Sequence, residues 1–535
     1  MKKLFDKFWP FVDLKRALSA ILIVAILCIN SSPLRAQNRL PNLGDGTDMT
    51  PSAERRMGDR IARELYRDPD YIDDAVLLEY VNKLWQPLLA AARQRGDLTD
   101  ELHDRFAFEV LLGKDRTVNA FALPGGYFGV HLGLVAITTS RDELASVLGH
   151  ELSHVTQRHI ARLISNQSSQ SPWLIGAMIL GVLAASKSVD AANALIVGGQ
   201  AAAQQNQLNF SRDMEREADR VGYGVVTHAG FEGRGFVGMF EKLQQNSRLS
   251  DSGAYPYLRS HPLGTERISD MQGRVGTVGF VADGAPLPTP ATFEHALLAA
   301  RAQVLSNPAV DALRAWSALV TVPGFLAQPP QKQAAGRYGA ALAAAKLRDF
   351  AGAASHLAAL SDLTRGLAGA GRQYRLLSAE IALAAGDGAK AAVHLLMNDT
   401  VLKVLDAKNP ASGRPEIMLG ATAALALGKP SEALDLLQAW LADHPRDASA
   451  WLLRSGAHTQ AGQTLRAIRA DGEARAAQFD YAAALDRFKA GQETARQLAR
   501  DAARTGQPVD HVEASILDTR ARAVALLLRE QALER

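Results

Sequence analysis

His150-Glu151-Leu152-Ser153-His154 is the stretch on which the reading of this chain turns. As α-helix it places two imidazoles four residues apart on one face, where both can bind a single zinc ion. Glu151 is offset around the helix, so its carboxylate falls beside the metal and not on it. With 13 histidines in 535 residues, the pattern arises by chance in about one such chain in a hundred. Its surroundings therefore decide.

Those surroundings read as a well-fixed helix. Ser140 can cap it while Glu143, three residues on, reaches back to the cap amide. Leu144, Val147, Leu148, Val155, Ile160 and Leu163 give it one apolar side, and the pattern runs to about Ile164. Gly149 beside the first histidine costs about 1 kcal/mol relative to alanine, which suggests room for a closely packed neighbour. Upstream, residues 54–95 have helical spacing, and Phe106, Phe108, Val110 and Leu112 alternate as a strand does. Val118–Leu123 reads as a second strand, and Pro124-Gly125-Gly126 turns it into Tyr127–Leu134, making a hairpin ahead of the helix.

A catalytic zinc needs a third protein ligand and one open position. Glu215-Arg216-Glu217-Ala218-Asp219 offers it. Glu215 and Asp219 are four apart on a shared face, whereas Glu217 points elsewhere. Glu215 can reach the metal, Asp219 can hold the free ring N–H of a ligating histidine, and Ala218 lets two helices approach. Glu217 stands as the alternative ligand. Glu151 can then take a proton from water and pass it to a leaving amine, which makes the reaction peptide-bond hydrolysis.

Other residues carry two readings each. His159, one turn further on, reads as a solvated surface group. His261 precedes Pro262 and so sits on extended chain; it can stabilise an oxyanion, fill zinc's open position and keep the enzyme latent, or simply anchor its loop. Arg267 pairs either with a cleft carboxylate or with the surface. Asn119-Ala120-Phe121 is either a packed strand or an edge strand that pairs with extended substrate.

Composition sets the wider frame. An apolar content of 47% with 6% aromatic indicates a helix-heavy chain of two or three domains. The net charge of +3 hides an N-terminal excess: without residues 1–36, 53 basic and 54 acidic residues remain. That balance gives no reason to expect nucleic-acid binding. Residues 1–36 read as a signal peptide, a basic start followed by the apolar run Ala17–Ile29 and a cut after Ala36, with a retained anchor as the other reading. The single cysteine, Cys28, leaves with it, so the mature chain has no disulfides. Trp173–Ala185 is too short to span a bilayer; it reads as a core helix or lid, with peripheral membrane contact as the alternative. A peptidase domain is expected over 37–283, a proline-rich linker over 284–292, and helical repeats over 293–535, with breaks near Asp349, Gly386, Gly428 and Gly462.

Asn119-Ala120-Phe121 with Pro124-Gly125-Gly126, the His150 motif, Ser211-Arg212, and Glu215-x-x-Ala218-Asp219 together resemble the HtpX-like and CAAX-protease-like zinc endopeptidases over residues 54–275. With an export signal in front and repeats behind, the chain is most similar to the periplasmic β-barrel assembly-enhancing proteases of Gram-negative bacteria. The resemblance implies an α+β gluzincin-type zinc metalloprotease domain followed by an all-α tetratricopeptide-like repeat domain. It implies one zinc held by His150, His154 and Glu215, catalytic Glu151, and clients among unfolded or misassembled outer-membrane proteins. The repeats would meet the outer-membrane assembly machinery. A chaperone-like adaptor with a largely latent site is the competing reading.

Overall fold

The computed structural model describes residues 49–166, 211–249, 257–278, 292–395, 413–505 and 510–533. The expected signal segment, the Trp173–Ala185 segment and the proline-rich linker lie outside the described residues. Asp48–Arg535 forms one compact unit. Among the described residues, no helix is long and apolar enough to cross a membrane.

The fold is mostly helical around one small sheet, and the sheet is what fixes the motif helix. Strands β1 (Glu109–Gly113), β2 (Ala120–Leu123) and β3 (Tyr127–His131) lie in the order β1-β3-β2. β2 and β3 form the expected antiparallel hairpin, with Phe121 opposite Gly129. The tight Pro124–Gly126 connection needs its glycines, since Gly125 has φ 72° and Gly126 φ 79°. β1 pairs in parallel with β3. It starts later than the alternation suggested, because Phe108 takes φ 46° and breaks the extended run. β2 is therefore an edge strand.

The motif helix spans Arg141–Thr156, capped by the Ser140 hydroxyl accepting from the Glu143 amide. Glu143 reaches back as expected, but to the amide of Thr139, one residue before the cap. The helix does not continue to Ile164. Arg158 takes φ 53° and a new helix starts at His159, because the Arg158 guanidinium donates to the Met49 carbonyl and to Glu54 of helix Pro51–Arg67. A contact from a hundred residues away overrides a continuous helical pattern.

Helix Arg212–His228, capped by the Ser211 hydroxyl, crosses the motif helix where two glycines meet. A Cβ on Gly149 would come within 2.5 Å of Val226 Cγ2, and one on Gly222 within 3.0 Å of the Gly149 carbonyl. Ala218 is fully buried beside them. The room inferred at Gly149 is room for this helix.

Beyond residue 292 the chain is a run of helical hairpins, beginning with Phe293–Ser306. The hairpin turns fall at Arg348, Gly386, Gly428, Gly462 and Phe479, all with positive φ, as the left-handed residue after a helix C-terminus requires. Asp349, Asp387 and Asp480 then cap the following helices. The array packs on helix Ala75–Arg95 in one continuous apolar core that joins Leu77, Trp85 and Leu88 with Leu297, Leu298 and Tyr338. It returns to the peptidase side at Phe479, which packs with Ile61 and Tyr127, and at Asp480, which pairs with Arg67.

Candidate metal centre

Two helices and one loop bring four buried ligand groups together. One ligand atom from each of His150, His154, Glu215 and His261 lies within 4.8 Å of the others. The His150 and His154 Nε2 atoms are 3.0 Å apart, and Glu215 places Oε2 3.5 Å from the first and Oε1 3.5 Å from the second. His261 places Nδ1 3.0 Å from Glu215 and Nε2 3.5 Å from Glu151. Its ring stacks on Tyr257 at 4.6 Å. The structure brings together every ligand that the sequence predicted, and it seats His261 among them.

The donor set fits zinc. Imidazole nitrogens and a carboxylate oxygen are zinc's ordinary ligands, and two Nε2 atoms at 3.0 Å must share either a proton or a metal cation. Glu151 Oε1, 1% exposed as a residue, is buried without a hydrogen bond. Its other oxygen accepts from the Ala122 amide on β2 at 3.0 Å.

Electrostatics divide the carboxylates. Burial raises Glu151, and its neighbours His261 and His150 offset that only in part, which suits an acid–base group. Burial also works against Glu215, but His261 and His150 overcome it and hold it well below the usual carboxylate range. Burial would lower His150, yet Asp219 and Glu215 win and raise it to about 10. His154 has no such support; burial and the neighbouring His150 push it well down.

The supports are as ordered as the ligands. Asp219 Oδ1 lies 3.0 Å from His150 Nδ1. Arg267, on helix Thr265–Val278, grips Asp219 with Nε and Nη2 at 2.6 and 2.8 Å and pairs with Glu215 at 2.7 Å. Of its two readings the cleft carboxylate is right. His159 corrects the sequence reading: it is fully buried, its Nδ1 2.9 Å from His154 Nδ1 and its Nε2 3.1 Å from Glu217. Glu217 is not in the ligand cluster; bonding to His159 lowers it to about 2. No spacing rule could have found this contact, because it depends on the break at Arg158. Asn119 is buried, its carbonyl accepting from the His131 amide.

Residues 90–275 match Peptidase family M48. This part of the chain is an M48 metallopeptidase domain. Zinc is the cofactor of that family, and the domain is a metalloendopeptidase. A Vibrio cholerae relative is 36% identical over 47% of this chain and 51% of its own length, so the match spans about half of that protein. The beta-barrel assembly-enhancing protease of Escherichia coli is 29% identical over 89% of this chain and 92% of that protein, so the likeness runs into the helical array. A mitochondrial metalloendopeptidase of Saccharomyces cerevisiae is 27% identical over 36% of this chain and 54% of that protein.

Proposed function

We propose that the protein is a periplasmic zinc endopeptidase that cleaves misfolded or misassembled outer-membrane β-barrel proteins. The convergence of His150, His154 and Glu215 beside a buried Glu151 carries the chemistry. The biological setting rests on the likeness to the E. coli β-barrel assembly-enhancing protease over most of both chains. Zinc at this centre supplies a Lewis acid that polarises a peptide carbonyl and acidifies water.

Around it the chain's own groups divide the work. Glu151 takes a proton from water at the oxygen left without a hydrogen bond and hands it to the leaving amine. Asp219 fixes the His150 tautomer through Nδ1, and Arg267 holds Asp219 and Glu215 in place. An extended client pairs by its backbone with the free edge of β2 at Ala120 and Phe121, just after Asn119, whose side chain is buried. We read the hairpin array as tetratricopeptide-like, a surface that meets clients and the assembly machinery. Residues 1–36 would direct export.

His261 favours a latent resting state, since it is a fourth buried ligand group within 4.8 Å of the other three and would give a bound zinc a protein ligand where catalysis needs water. Replacing Glu151 by Gln tests the whole reading. It should abolish cleavage of an unfolded β-barrel client while zinc content is unchanged. Intact cellular function of that variant would favour the adaptor reading instead.

A further inference from the structure

We propose that His159 and Glu217 form a positioning relay for His154, a hydrogen-bonded chain that orients the second histidine's ring toward the metal as Asp219 orients the first. The inference rests on His154 being a ligand, as read above.

The proton arrangement leaves one consistent solution. For His154 to offer a lone pair at Nε2, its proton must sit on Nδ1. That nitrogen is 2.9 Å from His159 Nδ1, so His154 donates and His159 accepts. The proton of His159 is then on Nε2, which is 3.1 Å from the Glu217 carboxylate. Every link runs donor to acceptor and ends on a charge. A carboxylate at the far end of such a chain strengthens the ligand at the near end.

The backbone is arranged to permit this. In a continuous helix, residues five apart point about 140° away from each other, and His159 would face away from His154. The turn at Arg158, φ 53°, is a conformation that residues other than glycine, asparagine and aspartate seldom adopt. Two contacts hold it: Arg158 to the Met49 carbonyl and Arg158 to buried Glu54, both at 2.9 Å. The result folds His159 back until its ring meets His154 edge to face at 4.9 Å. The left-handed residue is the same helix-ending turn seen at Arg348 and Phe479; here it brings His159 back against His154.

Both arms end on one helix. Glu215, Glu217 and Asp219 all belong to Arg212–His228. One reaches the ligand cluster, one supports His150 directly, and one supports His154 through an imidazole.

The test uses the full chain loaded with Zn2+ in competition with a chromophoric chelator, and separately with Co2+ read by its visible absorption. His159→Leu and Glu217→Ala should each weaken Zn2+ binding about tenfold or more and shift the cobalt bands. His159→Asn keeps an acceptor oxygen where Nδ1 stood but loses the atom that reaches Glu217, so it should recover only part of the affinity, to about the level of Glu217→Ala. Glu217 is only partly buried, so its variant carries the test if His159→Leu does not fold. Wild-type affinity in Glu217→Ala and His159→Leu would overturn the relay, as would His159→Asn binding no better than His159→Leu. His154→Ala separates the two levels: if it keeps wild-type affinity the ligand assignment itself fails, whereas if it loses zinc and Glu217→Ala does not, only the relay fails.

Discussion

The metal centre and the junction with the helical array are both built from buried charge, and they use it in opposite ways. At the junction three arginines of the array each sit between two carboxylates. Arg301 joins Asp74 to Glu380, Arg372 joins Glu79 to Glu416, and Arg414 joins Asp73 to Asp447. In each case one acid comes from the start of helix Ala75–Arg95 or the turn before it, and the other from the array. Five of these six pairings are two-pronged, and Arg301 reaches Glu380 through a single bond. At the centre, by contrast, Glu151 keeps an oxygen without a hydrogen bond and two imidazole nitrogens face each other. Complete pairing makes a joint; incomplete pairing makes a site that a cation and a substrate can finish.

The comparison breaks most visibly at Glu151. Glu151→Gln keeps the shape and the Ala122 contact but removes the proton acceptor, and kcat should fall by about 100- to 10,000-fold, measured on a quenched peptide substrate. Zinc content should not change. If the rate loss tracked zinc loss, Glu151 would belong with the ligands.

The joint should answer as structure and not as chemistry. Arg301→Ala leaves Asp74 buried without its partner and should cost about 3–5 kcal/mol, read by denaturant unfolding. The more exposed Arg372→Ala should cost less, since water can reach its partners. Catalysis per folded molecule should be unchanged in both.

Arg267 stands between the two regions, a complete clamp that serves the centre. Arg267→Met should weaken zinc binding about 10- to 100-fold, measured by chelator competition. An unchanged affinity would make it a purely structural clamp.

The mildest effect concerns acid. Burial tends to raise Asp74, Glu79 and Asp447, but Arg301, Arg372 and Arg414 overcome it and hold all three low. Carboxylates lowered on folding add stability above about pH 4, where the unfolded chain is already ionised, and that stability is lost as pH falls through the lower folded values. Thermal midpoints should therefore hold steady down to about pH 4 and drop below it. Arg301→Ala should shrink the acid loss, because burial then raises Asp74, and protonating a carboxylate raised on folding stabilises the folded chain.

What could be read in advance follows the range of the contact. The His150–His154 spacing, the Ser140 cap and the shared face of Glu215 and Asp219 are properties of a single helix, and the sequence displays them. The hairpin turns at Gly386, Gly428 and Gly462 were visible for the same reason, since a left-handed residue has a local signature. The turn at Arg158 is set by Glu54, 104 residues earlier, and it took His159 from an expected surface position to the heart of the centre. The junction arginines reach partners 227, 293 and 341 residues away, and no periodicity announces them. The parallel pairing of β1 with β3 was hidden likewise.

The most direct test of the central claim is zinc content per chain in the wild type and in Glu215→Gln, measured by elemental analysis after dialysis against a weak chelator. The account predicts one zinc in the wild type and loss of it in the variant, with the helical content of both unchanged. Full retention of zinc by Glu215→Gln would contradict it.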